Sequence, residues 1–164
     1  MTAAQIPALP QTLAALEGQE RLLRYRDGFG AKEALELGNA IARFALEYNR
    51  GIGARIYRET DGLVLFQWMM DDKAERNIGF VDGKRRAAHM CGHCSLWVVA
   101  QHDVDGSWQD VFEPGSAACP SGGAFPLQTA TGAWAGTVSL SGLQEGKDHE
   151  LVVRALCDVL GKSN

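Results

Sequence analysis

The sequence predicts an α+β domain in which two β-hairpins join into one antiparallel sheet flanked by helices. Three observations predict this class. Two pairs of strand-like segments each flank a short glycine-containing turn. Helical stripes, with apolar residues at steps of three and four, precede the first pair and follow the second. The strands come as adjacent pairs, so the alternating strand–helix–strand order of a parallel sheet is excluded.

The first part of the chain supplies two helices and the first hairpin. A short helix is expected over residues 11–25 and a longer one over residues 31–49, where apolar side chains recur on one face. The stripe of the longer helix consists of Leu37, Ile41, Phe44 and Tyr48. Two strand-like segments follow, Ala54–Arg58 and Leu63–Met69, and Thr60-Asp61-Gly62 supplies the turn between them.

The middle of the chain is more polar and less regular. Residues 73–91 indicate one helix or two short ones, because glycines weaken the helical pattern, and Cys94–Gln101 indicates another short helix. Residues 103–122 are rich in Gly, Pro, Ser and Asp and predict a long loop around a short strand at Trp108–Phe112. A loop of this length inside a compact domain is often functional.

The last part of the chain predicts the second hairpin and a C-terminal helix. The strands are expected at Ala124–Thr129 and Trp134–Leu140, with Thr131-Gly132 in the turn. The helix is expected over residues 145–160, and Gly161 stands where helices commonly end. Its apolar stripe consists of Val152, Val153, Leu156, Val159 and Leu160.

Length and charge limit the classes of partner. The chain has 164 residues and a formal net charge of −4, so we expect a single domain over residues 1–164, with residues 1–30 as an N-terminal extension that carries the short helix. The lack of a basic block argues against nucleic acid or an anionic membrane as the main partner. No apolar run approaches a membrane span and the N-terminus lacks the pattern of a secretion signal, which predicts a cytoplasmic location.

The segment Cys91-Gly92-His93-Cys94 has the pattern of the active-site tetrapeptide of a dithiol–disulfide oxidoreductase. Such a dithiol needs its first cysteine at the N-terminus of a helix, where the helix dipole lowers the pKa of the thiol. Here the preceding residues look helical, so Cys91 is expected at a helix C-terminus and Cys94 at the start of the next helix. The chain also lacks the strand–helix–strand unit of the redox fold. Cys91 and Cys94 remain redox candidates in a less favoured alternative.

Metal ligation has equally little support in the sequence. Attachment of haem through a CxxCH pattern is excluded because Ser95 follows Cys94. A zinc site would need two further ligands, for which Cys119, His89 and His149 are the candidates, but no second close pair exists. We therefore predict no metal-ion site.

Three segments near the C-terminus carry a more specific signal. They are Gly122-Gly123-Ala124-Phe125-Pro126, the segment GTVSLSGL from Gly136 to Leu143, and the pair Asp148-His149. Together they resemble the motifs of the HbpS-like and GlcG-like haem-degrading-domain family, in the branch classified as an uncharacterised protein family.

Motifs in the middle of the chain extend this resemblance to residues 31–161. Asn77, Phe80 and Lys84 match a spaced Asn, aromatic and Lys pattern of the branch, with Phe80 where tryptophan is usual. The segment from Cys91 to Ser95 lies where the branch has Phe-Gly-His-Ser-Ser. The glycine and the histidine fit that pattern, whereas the two cysteines are substitutions of this chain.

The resemblance implies a profilin-like fold, with one antiparallel sheet flanked by helices, and assembly into homo-oligomers. Relatives bind haem or iron, so haem is the cofactor that the resemblance implies. Family membership does not establish a reaction, because one fold supports many functions. No catalytic residue is assigned.

The candidate ligand-binding residues come from the matched motifs, and each has a structural alternative. They are His93, Lys84, Asn77, His149, Gly122, Gly123 and Phe125. The His93 imidazole suits haem iron or a propionate, but packing beneath a helix end explains it as well. Lys84 suits a ligand carboxylate or a solvated helix face. Gly122-Gly123 indicates a tight strand start or a backbone that a ligand approaches closely.

The Asp148-His149 pair is interpreted in the same way. Asp148 is expected to cap the last helix by accepting hydrogen bonds from its first amides. His149 is expected at a ligand pocket or at a subunit interface.

The leading hypothesis is a small cytoplasmic homo-oligomeric protein that binds haem, a related tetrapyrrole or another small anionic molecule. No Ser–His–Asp set, phosphate loop or carboxylate pair at diagnostic spacing is present, so ordinary hydrolase or kinase chemistry has little support. The alternative is a protein-interaction scaffold without a small ligand. The less favoured alternative is the CxxC thiol–disulfide oxidoreductase.

Overall fold

The computed structural model describes residues 12–144 and 146–162. The helices in these ranges are α1 Leu13–Leu22, α2 Ala31–Ala45, α3 Glu75–Cys91, α4 Ser95–Asp105, α5 Gln109–Phe112 and α6 Lys147–Leu160. The strands are β1 Gly53–Arg58, β2 Val64–Met69, β3 Ala124–Gln128 and β4 Trp134–Ser141. The N-terminal residues 1–11, which include the predicted start of α1, and residue 145, the predicted start of α6, lie outside the described residues.

All four strands form one antiparallel sheet in the order β2–β1–β4–β3. Within each hairpin the two strands pair with each other, β1 with β2 and β3 with β4. The two hairpins join through β1 and β4, where Ile56 is opposite Val138. This join leaves β2 at one edge of the sheet and β3 at the other. The predicted α+β class, with two hairpins in one antiparallel sheet, is confirmed.

Helices cover both faces of the sheet. α2 and α6 pack against each other and against one face, and α3 crosses the other face over β1, β4 and β3. The main core lies between the sheet and α1, α2 and α6, where side chains such as Leu37, Ile56, Leu140 and Leu156 are fully buried. A second, smaller cluster of Ala87, Val98, Val111 and Ala118 lies beneath α3, α4 and α5.

The segment predicted as an irregular long loop contains more helix than expected. α4 continues to Asp105, and the strand predicted at Trp108–Phe112 is wrong, because Gln109–Phe112 forms the short helix α5. Trp108 adopts a left-handed backbone with φ 68°, and its indole Nε1 donates to the Gln101 side chain at 2.6 Å. The chain therefore folds back on α4 and buries Val111 in the smaller cluster.

The residues 73–91 form one continuous helix, α3, in spite of Gly79 and Gly83. A Cβ atom at Gly83 would lie 3.0 Å from Cys119 Cβ, so this glycine allows the segment around Cys119 to pack against the helix. α3 ends at Gly92, whose left-handed φ of 76° is typical of a helix C-cap. Among the described residues, no helix combines the length and the apolar character that a bilayer span requires.

Candidate functional site

His93 lies in the turn between α3 and α4 and is held from one side. Its Nδ1 is 2.8 Å from Oε2 of Glu20 on α1, and its ring stacks on Trp97 with the centroids 4.6 Å apart. The carboxylate accepts a hydrogen bond, so the neutral imidazole carries its proton on Nδ1 and presents a lone pair on Nε2. No described group hydrogen-bonds Nε2, and the His93 side chain is 30% exposed.

Glu20 is the buried residue that fixes this arrangement. Its side chain is 6% exposed, and its second oxygen, Oε1, accepts the backbone N–H of Cys94 at 2.6 Å. Both carboxylate oxygens are therefore used, one on the first amide of α4 and one on the imidazole. One turn earlier on α1, Glu17 accepts the Trp97 indole N–H at 3.1 Å. We call His93, Glu20 and the pocket beside them the His93 site.

The pocket of the His93 site has a volume of about 180 Å³. Its lining residues are Glu17, Glu20, Arg21, Arg24, Gly92, His93 and Gln128. The four lining residues from residues 17–24 were not among the candidates drawn from the sequence. The available signal was the spacing of Glu17, Glu20 and Arg21, which places charged side chains on one face of α1.

The two cysteines beside His93 do not have the environment of a redox dithiol. Cys91 ends α3 and Cys94 is the N-cap of α4, as the sequence predicted. Both are free thiols, and the Cys91 sulfur contacts backbone carbonyl oxygens. Burial raises the pKa of Cys91 to about 11 and that of Cys94 well above its ordinary value. A reactive dithiol requires the opposite shift.

Lys84 of α3 and Asp148 of α6 form a buried ion pair. Lys84 Nζ donates to Asp148 Oδ2 at 2.8 Å and to the carbonyl oxygen of Leu140 at 2.8 Å, and both side chains are 4% exposed. The alternative of a solvated helix face for Lys84 is therefore wrong. Lys84 points inward from α3, where its ammonium group satisfies the buried Leu140 carbonyl oxygen and the buried Asp148 carboxylate.

Asp148 does not cap α6 in the predicted way. The N-cap is Gly146, and Asp148 lies in the first turn, where its other oxygen accepts the backbone N–H of Leu143 at 3.1 Å. The prediction failed because the carboxylate is drawn to Lys84 rather than to the amides of its own helix. Burial raises the pKa of Asp148, and the Lys84 ammonium opposes part of that shift.

Gly123 fits against this ion pair without space for a side chain. Its φ is 139°, and a Cβ atom would lie 2.4 Å from the Leu140 carbonyl oxygen and 3.1 Å from Lys84 Nζ. The neighbour that approaches the Gly122-Gly123 backbone is thus the protein itself. This geometry supports the interpretation as a tight strand start.

His149 and Phe125 are enclosed in the same region. His149 Nε2 is 2.8 Å from Oε1 of Gln19, its Nδ1 is buried without a hydrogen-bond partner, and burial lowers its pKa to about 4. Phe125 is fully buried with its ring centroid 5.9 Å from that of His149. We call Lys84, Asp148, Gly123 and His149 the buried cluster.

Asn77 belongs to neither group. It is 8% exposed, and its Oδ1 accepts the backbone N–H of Ala74 at 2.9 Å, which closes the first turn of α3. A pocket of about 480 Å³ lies near Phe80 and Cys119 but contains none of the predicted ligand-binding residues. Among the described residues, no group of three or more His, Cys, Asp or Glu side chains is arranged to hold a metal ion.

Comparisons with known proteins agree with these motifs. Residues 29–157 match the model of the family described as haem degrading protein HbpS-like. The chain is 33% identical over 161 residues to a UPF0303 protein of Streptomyces coelicolor, covering 95% of this chain and 98% of that protein. It is 34% identical over 154 residues to a UPF0303 protein of Burkholderia thailandensis, covering 91% of this chain and 90% of that protein.

Solved structures share the fold at low sequence identity. The Ybr137w protein superposes with a TM-score of 0.80 at 21% identity, covering 94% of this chain and 90% of that one. HbpS superposes at 0.62 and 19% identity, covering 81% and 90%. A complex of PduOC with haem superposes at 0.60 and 17% identity, covering 79% and 94%. The family match and the identities above 30% together show that this chain belongs to the HbpS-like haem-degrading protein family, in its UPF0303 branch.

Proposed function

We propose that this chain binds haem, or a closely related anionic tetrapyrrole, with Nε2 of His93 as the ligand to the iron. The observation that carries the proposal is the hydrogen bond between His93 Nδ1 and the buried Glu20 carboxylate. Metal-bound histidines almost always donate their other ring N–H to a carboxylate or a carbonyl, which fixes the tautomer and raises the basicity of the ligating nitrogen.

The residues present fit haem iron at this position. Nε2 of His93 is the partly exposed nitrogen, and no described side chain competes for it. The pocket volume of about 180 Å³ is below the range of about 300–1,000 Å³ that encloses drug-sized ligands. The pocket would therefore admit only part of a macrocycle, and His93 is the residue that would hold the iron. Bound haem iron supplies the activation of oxygen or peroxide that haem degradation needs, and the chain positions it.

The experiment that tests the proposal is a titration of hemin into the purified protein, followed by the Soret band. We expect a shifted Soret band with the wild-type chain and its loss or displacement in His93→Ala. His102→Ala is the matched control, because His102 is also partly buried, bonded through Nδ1 and stacked on an aromatic ring. The control should retain the wild-type spectrum.

Two outcomes contradict the proposal. The first is the absence of any spectral change when hemin is added to the wild-type chain. The second is a His93→Ala spectrum and affinity equal to those of the wild type, which would show that iron is bound elsewhere or not through a protein ligand.

We also propose that the chain is a cytoplasmic homo-oligomer, and that β2 takes part in the contact between subunits. β2 is an edge strand with unpaired backbone groups on one side, and Val64 and its neighbour Leu63 are 36% and 51% exposed. The same edge favours the second candidate function, a scaffold that binds another protein without a small ligand. The free thiols of Cys91, Cys94 and Cys119 support a reducing compartment.

Native mass spectrometry of the freshly isolated chain separates these candidates, because it reports the subunit count and any bound ligand together. We expect more than one subunit, and a lower count for Val64→Lys, which places a charge on the edge. Leu35→Lys changes an exposed apolar residue on α2 and should leave the count unchanged. A single subunit for the wild type would contradict the oligomer. A multimer whose subunits take up no hemin would favour the scaffold.

A further inference from the structure

A basic pocket lies next to the His93 site. Its volume is about 430 Å³, and its lining residues are Arg21, Leu22, Arg24, Arg26, Ala130, Leu160 and Lys162. Four of these seven side chains are cationic and none is a carboxylate. Arg21 and Arg24 also line the pocket of the His93 site, so the two pockets share a wall.

The four cations of the basic pocket have no carboxylate partner in the described part of the chain. None of the ion pairs there includes Arg21, Arg24, Arg26 or Lys162. The one hydrogen bond among them joins Arg24 Nε to the neutral Gln128 side chain at 3.2 Å. Residues 1–11 contain no Asp or Glu in their sequence.

The two carboxylates of α1 do not neutralise this pocket. Glu17 and Glu20 line the neighbouring pocket, where their oxygens accept hydrogen bonds from Trp97, Cys94 and His93. Glu20 is also buried. Among the residues that the structure describes, no carboxylate forms an ion pair with the cations of the basic pocket.

Helix dipoles do not account for the cluster. Leu22 and Leu160 are the last residues of α1 and α6, so two helix C-termini meet at this pocket. Each C-terminus carries roughly half a negative charge, and the two together offset about one of four unit positive charges. Clustered like charges around a concave surface attract an anion from solution.

We propose that the basic pocket binds the carboxylate groups of the same ligand whose iron His93 ligates. The inference rests on the proposed function and adds the place where the free carboxylates at the edge of the macrocycle bind. The shared wall of Arg21 and Arg24 makes one ligand able to reach both pockets, and guanidinium groups bind carboxylates through paired charge-assisted hydrogen bonds.

The test compares hemin with hemin dimethyl ester, which keeps the iron and lacks both negative charges. The wild-type chain should bind hemin more tightly than the diester. Arg21→Gln/Arg24→Gln should weaken hemin binding by about tenfold or more, which corresponds to the loss of one charge-assisted hydrogen bond, and should leave diester binding unchanged. Arg26→Gln/Lys162→Gln tests the far wall of the pocket independently and should act in the same direction.

The matched control is Arg50→Gln/Arg86→Gln, which removes the same charge from exposed arginines that line neither pocket. It should leave hemin binding unchanged, and thermal melts of all variants should coincide. Equal affinity of the wild type for hemin and its diester, with no effect of either pocket variant, overturns the inference while His93 ligation stands. If His93→Ala binds hemin and the diester as tightly as the wild type does, the proposed function is overturned instead.

Discussion

The buried cluster and the His93 site are both groups of polar side chains, but they differ in what they leave available. In the buried cluster, Lys84 has carbonyl and carboxylate partners, and Gly123 leaves no room for a side chain. Its one atom without a hydrogen-bond partner, His149 Nδ1, is enclosed in the interior. In the His93 site, one imidazole nitrogen is fixed by a buried carboxylate and the other is free. A closed network holds a fold together, whereas an open one can accept a ligand.

Helix α1 connects the two regions through adjacent residues. Gln19 contacts His149 of the buried cluster, and Glu20 contacts His93. The difference between them is burial: His149 is 1% exposed, whereas the His93 side chain is 30% exposed. We infer that substitutions in the buried cluster act on stability, and that substitutions in the His93 site act on haem binding.

The largest effect is expected for Lys84→Met, which leaves Asp148 buried without its counter-ion. Removing one partner of a buried ion pair costs about 3–5 kcal/mol of unfolding free energy. Denaturant unfolding measures this loss. Lys32→Met is the control, because Lys32 is 81% exposed and its pair with Glu36 contributes about 0.5 kcal/mol or less.

The double variant Lys84→Met/Asp148→Leu tests the same buried ion pair from the other direction. Because it removes the stranded charge together with its partner, it should lose less unfolding free energy than Lys84→Met alone. A loss in Lys84→Met no greater than in Lys32→Met would show that the pair is not needed for the fold, and the buried cluster would then have to be reconsidered as a ligand site.

The next effect is a pH dependence that arises from His149. Its pKa is about 4 in the folded chain and 6.5 ordinarily, so below pH 6.5 the unfolded chain takes up a proton that the folded chain does not. The unfolding free energy therefore falls as the pH falls, by about 3 kcal/mol once the pH is below 4, and roughly half of this loss occurs between pH 6.5 and 5.

The measurement is denaturant unfolding of the wild type and of His149→Gln across this pH range. The variant lacks the titrating group, so its stability should depend less on pH by the amounts given. Parallel pH profiles for the two chains would show that His149 takes up its proton as readily in the folded state as in the unfolded one.

The third prediction concerns Glu20→Gln and haem affinity. A glutamine whose oxygen still accepts the Cys94 N–H presents its amide NH₂ to His93, which moves the imidazole proton to Nε2 and removes the ligating lone pair. Changes in such supporting partners lower metal affinity by about 10–100-fold. Hemin titration measures the change, and Glu17→Gln, which alters only the bond to Trp97, should leave the affinity unchanged. Wild-type affinity in Glu20→Gln would separate haem binding from the His93 tautomer.

The sequence predicted the secondary structure and the sheet better than it predicted the surroundings of the candidate site residues. Both hairpins, the sheet and the helix break at Gly92 follow from local patterns of turn residues and apolar spacing. Lys84 was harder to place, because its position beside Arg85 and Arg86 suggested a solvated face, and only the tertiary contact with Asp148 shows that it is buried. A partner 64 residues away leaves no local signal.

The same reason explains why the α1 residues were not predicted. Glu20 lies 73 residues from His93 in the sequence, and an acidic residue on a short helix ordinarily faces solvent. The strand expected at Trp108–Phe112 failed differently: its composition suits either structure, and the left-handed backbone of Trp108 decides for a helix. The prediction was limited where long-range contacts override local preference.

The smallest effect is expected for Cys91→Ser. This variant tests whether the thiols beside His93, rather than its imidazole, carry the chemistry of the His93 site. The hydrogen-bond partners of the Cys91 sulfur are backbone carbonyl oxygens, and a serine hydroxyl can donate to the same groups, so the unfolding free energy should change by about 0.5 kcal/mol or less. Hemin affinity should not change. With a pKa of about 11, the wild-type thiol should react with a disulfide reagent about tenfold more slowly for each unit by which the pH lies below that value. Rapid modification of Cys91 at neutral pH, or loss of hemin binding in Cys91→Ser, would instead assign the chemistry of this site to its thiols.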